Sequence, residues 1–282
     1  MRNTIAILLA VLTLAPFPAA ASGAHGTSSS AADDAARHRD SQRKSFTDSE
    51  IVDGFLKIAF GAEFRADQRV DRIRKFDVPI RIFVDNRAQP DRGPQIAAIV
   101  ADIRSRIRNL DIAITPTRVD ANVIVTLLLD RDLEQAIRTI YGPERARNIE
   151  RSLRPQCLAG FAKDEDYRIL RSEVLLVVDV GDFVFYDCGY EEILQALGPI
   201  NDDRTVPWSM FNDDVSMGFF DVYDQILLNL LYDPRIKPGM TKEEAGKLLP
   251  QILPDVRAFV AGRNRPEGRR STEPLSPRRD AP

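Results

Sequence analysis

Tyr190-Glu191-Glu192-Ile193-Leu194-Gln195-Ala196-Leu197-Gly198-Pro199-Ile200-Asn201-Asp202 is the segment on which the reading of this chain turns. Placed on a helix, Tyr190, Ile193, Leu194 and Leu197 fall at i, i+3, i+4 and i+7 and form a core stripe. Glu191 and Gln195 lie one turn apart on a neighbouring face. Gly198 ends the helix and lets the chain turn sharply. Asn201 and Asp202 follow that turn, where they can point back at the same face.

Outward from this segment, apolar spacing alternates between helix and strand. Thr47-Asp48-Ser49-Glu50 is a capping box opening a helix that carries Ile51, Val52, Phe55, Leu56, Ala59 and Phe60. Ile80 to Val84 alternates like a strand, and Pro94 to Leu110 has helical spacing. Ile112 to Ile114 and Val123 to Leu129 read as strands, the second apolar on both faces as in a buried strand. Leu133 to Ile140 and Glu144 to Leu153 read as helices separated by Gly142-Pro143. Val174 to Val180 is a further buried strand. A helix is predicted near Asp187 to Leu197, then an irregular acidic stretch to about Gly218, then a buried helix over Phe219 to Leu231. Thr241 with Glu244 is a second capping box, and its helix is predicted to bend or break at Pro250 and Pro254. Strands interleaved with helices suggest an α/β or α+β sheet domain over 46–262, with no internal repeat.

Two ligands at i and i+4, a base beside the first and a third ligand after a glycine turn is a metalloprotease layout. The spacing resembles the metzincin signature H-E-x-x-H-x-x-G-x-x-H/D. On that resemblance Glu191 stands at the first ligand, Glu192 at the catalytic glutamate, Gln195 at the second ligand, Gly198 at the glycine and Asn201 at the third ligand. Trp208-Ser209-Met210-Phe211 resembles the clan's methionine turn, with Met210 beneath the metal, and Asp221 to Tyr232 resembles the helix that follows. The resemblance implies a metzincin-like (zincin-like) fold: a mixed sheet, a long helix in the N-terminal half, a degenerate active-site helix and C-terminal helices. Only the glutamate, the glycine and the methionine match. Gln and Asn carbonyls bind zinc poorly, and without zinc Glu192 has no acidified water to deprotonate. The expected cofactor is therefore none, and the expected metal ligands none.

The chain is also similar to a proteobacterial family of exported proteins known only as domain of unknown function 2927, from about Asp48 to Met240. Tyr190-Glu191-Glu192, Gln195-Ala196-Leu197-Gly198, Asn201-Asp202, Leu231-Tyr232-Asp233-Pro234-Arg235 and Pro238-Gly239-Met240 carry that similarity. It implies a fold and a location, and no reaction.

The first 21 residues read as an address. One basic residue precedes the apolar run Ile5 to Phe17, and Ala19-Ala20-Ala21 fits a signal-peptidase site, so cleavage is predicted near Ala21. Residues 22–45 read as a disordered leader and 263–282 as a disordered basic tail holding six arginines and four prolines. No later stretch is long and apolar enough to cross a bilayer. A periplasmic or secreted location follows, and in that oxidising setting Cys157 and Cys188, the two cysteines, are expected to form a disulfide.

The 282 residues carry 39 basic and 42 acidic side chains, a net charge of -3 that gives no signature of a nucleic-acid binder. His25 and His38 are the two histidines and both precede the first folded element, which excludes His-ligated metal and His-based nucleophilic catalysis in the core. Asn201-Asp202-Asp203 and Asn212-Asp213-Asp214 are oxygen-rich, as calcium prefers, but fit no EF-hand and read as turn and cap residues. The leading expectation is an exported pseudoenzyme that binds a peptide or cell-envelope partner through Glu191, Gln195, Asn201 and Asp202. A hydrolase with oxygen ligands and Glu192 as general base is the alternative, and a scaffold or assembly factor a third.

Overall fold

The structure, a computed structural model, describes residues 43–61, 71–152 and 156–265, with the side chains of 150–152 left aside. The expected signal peptide, most of the leader and most of the basic tail lie outside the described residues.

In chain order the elements are α1 (Asp48–Ile58), β1 (Ile80–Asn86), α2 (Gly93–Arg106), β2 (Ile112–Ile114), β3 (Val123–Leu128), α3 (Asp130–Tyr141), α4 (Pro143–Ser152), β4 (Cys157–Lys163), β5 (Ile169–Val177), α5 (Asp182–Gln195), α6 (Val222–Leu231) and α7 (Lys242–Arg263). The five strands form one mixed sheet in the order β2-β1-β3-β5-β4. The pairs β1–β2, β1–β3 and β3–β5 are parallel. β4 alone runs antiparallel, paired with β5, and lies at the sheet edge. The α+β class and the mixed sheet expected from the sequence are therefore present.

Pleating sends alternate residues of the central strands into two cores. Val123, Val125 and Leu127 of β3, with Val174 and Leu176 of β5, join a large cluster covered by α2 and α5 and continuing into α1, α6 and α7. Leu128, Leu175 and Val177 face a smaller cluster covered by α3 and α4 through Leu133, Ile137, Ala146 and Ile149. Both capping boxes are made: Thr47 with Glu50 and Thr241 with Glu244 each satisfy two helix-end donors reciprocally.

Several expectations change. β4 was not legible as a strand, and its pairing draws β5 back to Ile169 through a hairpin. α5 begins at Asp182, five residues before the predicted start, because Phe185 already belongs to the buried core. The helix expected from Phe219 starts at Val222, where Asp221 caps it by accepting from the Tyr223 N–H at 3.3 Å. α7 runs unbroken from Lys242 to Arg263 through both prolines. Pro250 and Pro254 sit on its exposed side, where water can satisfy the carbonyls left without an N–H partner. Leu249, Ile252, Leu253, Val256 and Val260 hold the other side in the core.

Cys157 and Cys188 are bonded, 31 positions apart with Cα atoms 5.8 Å from each other. The bond ties the first residue of the edge strand to α5 one turn before Glu192. Replacing both cysteines by alanine is expected to cost about 3 kcal/mol, chiefly by enlarging the unfolded ensemble. Urea unfolding of oxidised protein and of the double variant measures it, and unchanged midpoints would remove the bond from any stabilising role.

Candidate functional site

Four contacts fix where α5 ends. Ser172 Oγ on β5 donates to the Ala196 carbonyl at 2.8 Å. Tyr232 Oη, just beyond α6, donates to the Leu197 carbonyl at 2.8 Å. The Gly198 N–H returns to the Gln195 carbonyl at 2.9 Å. Gly198 itself has φ +139°, and a Cβ there would stand 2.2 Å from the Arg74 carbonyl oxygen. Only glycine reaches this backbone conformation without strain and lets the two main chains approach this closely.

This turn delivers part of the constellation expected from the sequence. Gln195 is 3% exposed, and its Nε2 donates to both Asp202 carboxylate oxygens at 3.0 and 3.1 Å. The side chain after the turn thus does point back at the helix, but it is Asp202 and not Asn201. Asn201 Nδ2 donates instead to the Lys57 carbonyl at 3.0 Å, holding the C-terminal end of α1. Glu192, 6% exposed, shares a helix face with Gln195 at i and i+3. Glu191 is half-buried. Among the described residues no group of three or more His, Cys, Asp and Glu side chains gathers as a metal would require.

The segment after the turn is irregular yet tightly held. Asp224, in the first turn of α6, is buried and accepts from Ser209 Oγ at 2.6 Å and from the Met210 N–H at 2.9 Å. Burial pushes its carboxyl up to about 7 against those two hydrogen bonds. Met210 is buried behind this anchor. Asp187 of α5 accepts from the Met217 and Gly218 N–H groups at 2.6 and 3.0 Å, and burial raises its pKa. The two acidic triplets serve the turns: Asp203 accepts from the Thr205 N–H, and Asn212 from the Asp214 N–H.

Two buried donors beside the edge strand had no signal in the sequence. Arg74, between α1 and β1, is 3% exposed, and its Nε and Nη2 have no hydrogen-bond partner. Its guanidinium lies 5.5 Å from the Phe161 ring centroid on β4. Burial pulls it down to about 10. Tyr141, the last residue of α3, has a sealed hydroxyl without a hydrogen-bond partner. That hydroxyl sits 2.5 Å from the place a Cβ on Gly160 would take. Burial raises the phenol's pKa first, and the charge of Glu192 adds to it. An Arg-Lys pair inside Ile73-Arg74-Lys75-Phe76 reads as an ordinary solvated pair, so nothing local marks it. Lys75, its neighbour, is spent on the Leu231 and Ile236 carbonyls at 2.7 and 2.8 Å, closing the end of α6.

These features define an α+β protein whose sheet ends in an antiparallel edge strand bolted to a helix bearing a buried glutamate and glutamine. The chain belongs to the family described as Protein of unknown function (DUF2927), matched over residues 48–251. No curated protein and no solved structure matches it.

Proposed function

We propose that this is an exported, non-catalytic protein of metzincin-like descent that uses its edge strand and the α5 face to bind a peptide or a cell-envelope partner. The observation that carries the reading is what the side chains at the three ligand positions do. Gln195 is engaged by Asp202, Asn201 is turned away to the Lys57 carbonyl, and Glu191 is the one carboxylate of the set. One carboxylate and two amides make a poor zinc site. The sheet order, with β4 the one antiparallel strand at the edge, supports the likeness to that fold. So do the glycine turn and the anchored Met210 loop. The disulfide supports export, since such bonds persist in oxidising compartments. A strand paired on one side alone among the described residues, as β4 is with β5, is the natural place for an extended peptide to add itself.

Elemental mass spectrometry of protein purified from an oxidising compartment without a histidine tag, together with a peptide-cleavage assay, tests this. The expected result is no stoichiometric transition metal and no cleavage that chelators abolish. Stoichiometric zinc with chelator-sensitive cleavage would sink the proposal. It would raise in its place the hydrolase with Glu192 as base and Glu191, Gln195 and Asn201 or Asp202 as ligands. That second reading is favoured by the burial of Glu192 within electrostatic reach of the Tyr141 phenol. It requires that Glu192→Gln abolish whatever cleavage is found.

A further inference from the structure

Buried donors left without acceptors are uncommon, because each costs the full desolvation of the group. Here three such atoms, Arg74 Nε, Arg74 Nη2 and Tyr141 Oη, fall on two consecutive residues of one strand. Arg74 stacks over Phe161, and Tyr141 reaches over Gly160. Successive strand residues face opposite ways, so the two donors flank β4 from its two sides. β4 is the edge of the sheet.

The geometry of Arg74 narrows the ligand. Nε and Nη2 are the two nitrogens whose N–H bonds lie parallel on one side of a guanidinium, the fork that receives both oxygens of a carboxylate. Among the described residues no carboxylate pairs with it, and burial is the one influence that moves its pKa. A single uncompensated cation is neutralised by a monoanion, whereas a phosphate dianion would leave net charge in a buried place.

We infer that Arg74 and the adjoining β4 edge form a carboxylate-binding subsite, which takes the C-terminus or an acidic side chain of an extended peptide laid along the strand. This deepens, and rests on, the peptide-binding reading above. Gly160 has a part in it: any larger residue would displace the Tyr141 hydroxyl from the edge.

The test is to follow the Arg74 Nε–H resonance of disulfide-bonded, 15N-arginine-labelled protein, assigned by its loss in Arg74→Lys. Sodium acetate, sodium chloride and sodium phosphate are titrated at constant ionic strength. Three N-acetylated tetrapeptides follow: tetraalanine with a free carboxylate, the same peptide amidated, and an amidated one carrying a glutamate. Acetate is expected to shift the resonance saturably, with chloride and phosphate failing to saturate it. One carboxylate-bearing peptide is expected to bind about tenfold or more tighter than the amidated tetraalanine. The peptide that wins tells a chain terminus from a side chain. Because the variants lack that resonance, their binding of the same acetate and peptides is compared with wild type by isothermal titration calorimetry. Arg74→Met is expected to abolish saturable binding while unfolding at the same or higher urea, since it removes a buried unpartnered cation. Arg74→Lys keeps the charge without the fork and should lose the preference for carboxylate. No saturable shift with acetate or any peptide overturns the inference, as does an Arg74→Lys protein that binds as the wild type does. A saturable acetate shift with no peptide tighter than acetate upholds the carboxylate subsite and overturns the peptide-binding reading instead.

Discussion

Gly198→Ala is expected to remove roughly 3–5 kcal/mol of stability, a large part of the 5–15 kcal/mol that a domain of ordinary stability holds. Two causes act together. The residue sits at φ +139°, a conformation that strains any side chain. Its new Cβ would also meet the Arg74 carbonyl oxygen at 2.2 Å. The obstacle is backbone, so no rotamer change relieves it. Either Arg74 or the turn must move, and the turn is held by Ser172 and Tyr232 through the neighbouring carbonyls. Gly142→Ala is the control. Gly142 also has positive φ, at +81°, but nothing lies within 4 Å of its would-be Cβ. Conformational strain alone should cost that variant about 1 kcal/mol. Urea unfolding followed by circular dichroism separates the two. Equal losses would mean that the close approach at Gly198 relaxes freely, and the turn would then not be what fixes Gln195 against Asp202.

How much of this was legible in the sequence depended on how local the cause was. The capping boxes of α1 and α7 are four-residue motifs, and both are made as read. β3 is apolar at nearly every position and is buried on both faces. β4 was missed because Cys157-Leu158-Ala159-Gly160-Phe161-Ala162-Lys163 holds no β-branched residue and no clean alternation. Its strand is made by pairing with β5 and by the bond to Cys188, both remote in sequence. Likewise the i and i+4 spacing of Glu191 and Gln195 was visible, and a carboxylate does return after the glycine turn. Which residue returns was not visible, because Asn201 is claimed by a carbonyl 144 positions earlier. Arg74 and Tyr141 come together with β4 from three separate segments, and no spacing rule announces them.

Asp224 should make the protein less stable as pH rises from about 4 to about 7. The unfolded carboxyl titrates near 3.8 and the folded one near 7. Between those values the folded protein keeps a proton that the unfolded chain has released. The stabilisation is therefore fully present below about pH 4, falls through the interval, and is absent above about 7. The difference corresponds to about 4 kcal/mol across the window. The geometry favours the protonated form. Asp224 has one N–H donor, from Met210, and one hydroxyl, from Ser209, which can reverse and accept. Two donors do not replace the water an ionised carboxylate gives up, even in the first turn of α6 where the helix end favours negative charge. Asp224→Asn imitates the protonated group, with its oxygen toward Met210 and its amide toward Ser209. Other carboxylates titrate in the same range, so the quantity to measure is wild type minus variant, from urea unfolding at several pH values between about 4.5 and 8. That difference should slope downward and level off near 7. A flat difference would mean that Asp224 stays ionised throughout. Asp224→Ala should instead lose about 2–4 kcal/mol, because the Ser209 hydroxyl and the Met210 N–H are both left buried without their acceptor. With that anchor gone the Met210 loop comes free of α6, whereas under the Asn variant it stays in place. The two substitutions thus separate the charge of Asp224 from its role in holding the segment after the glycine turn.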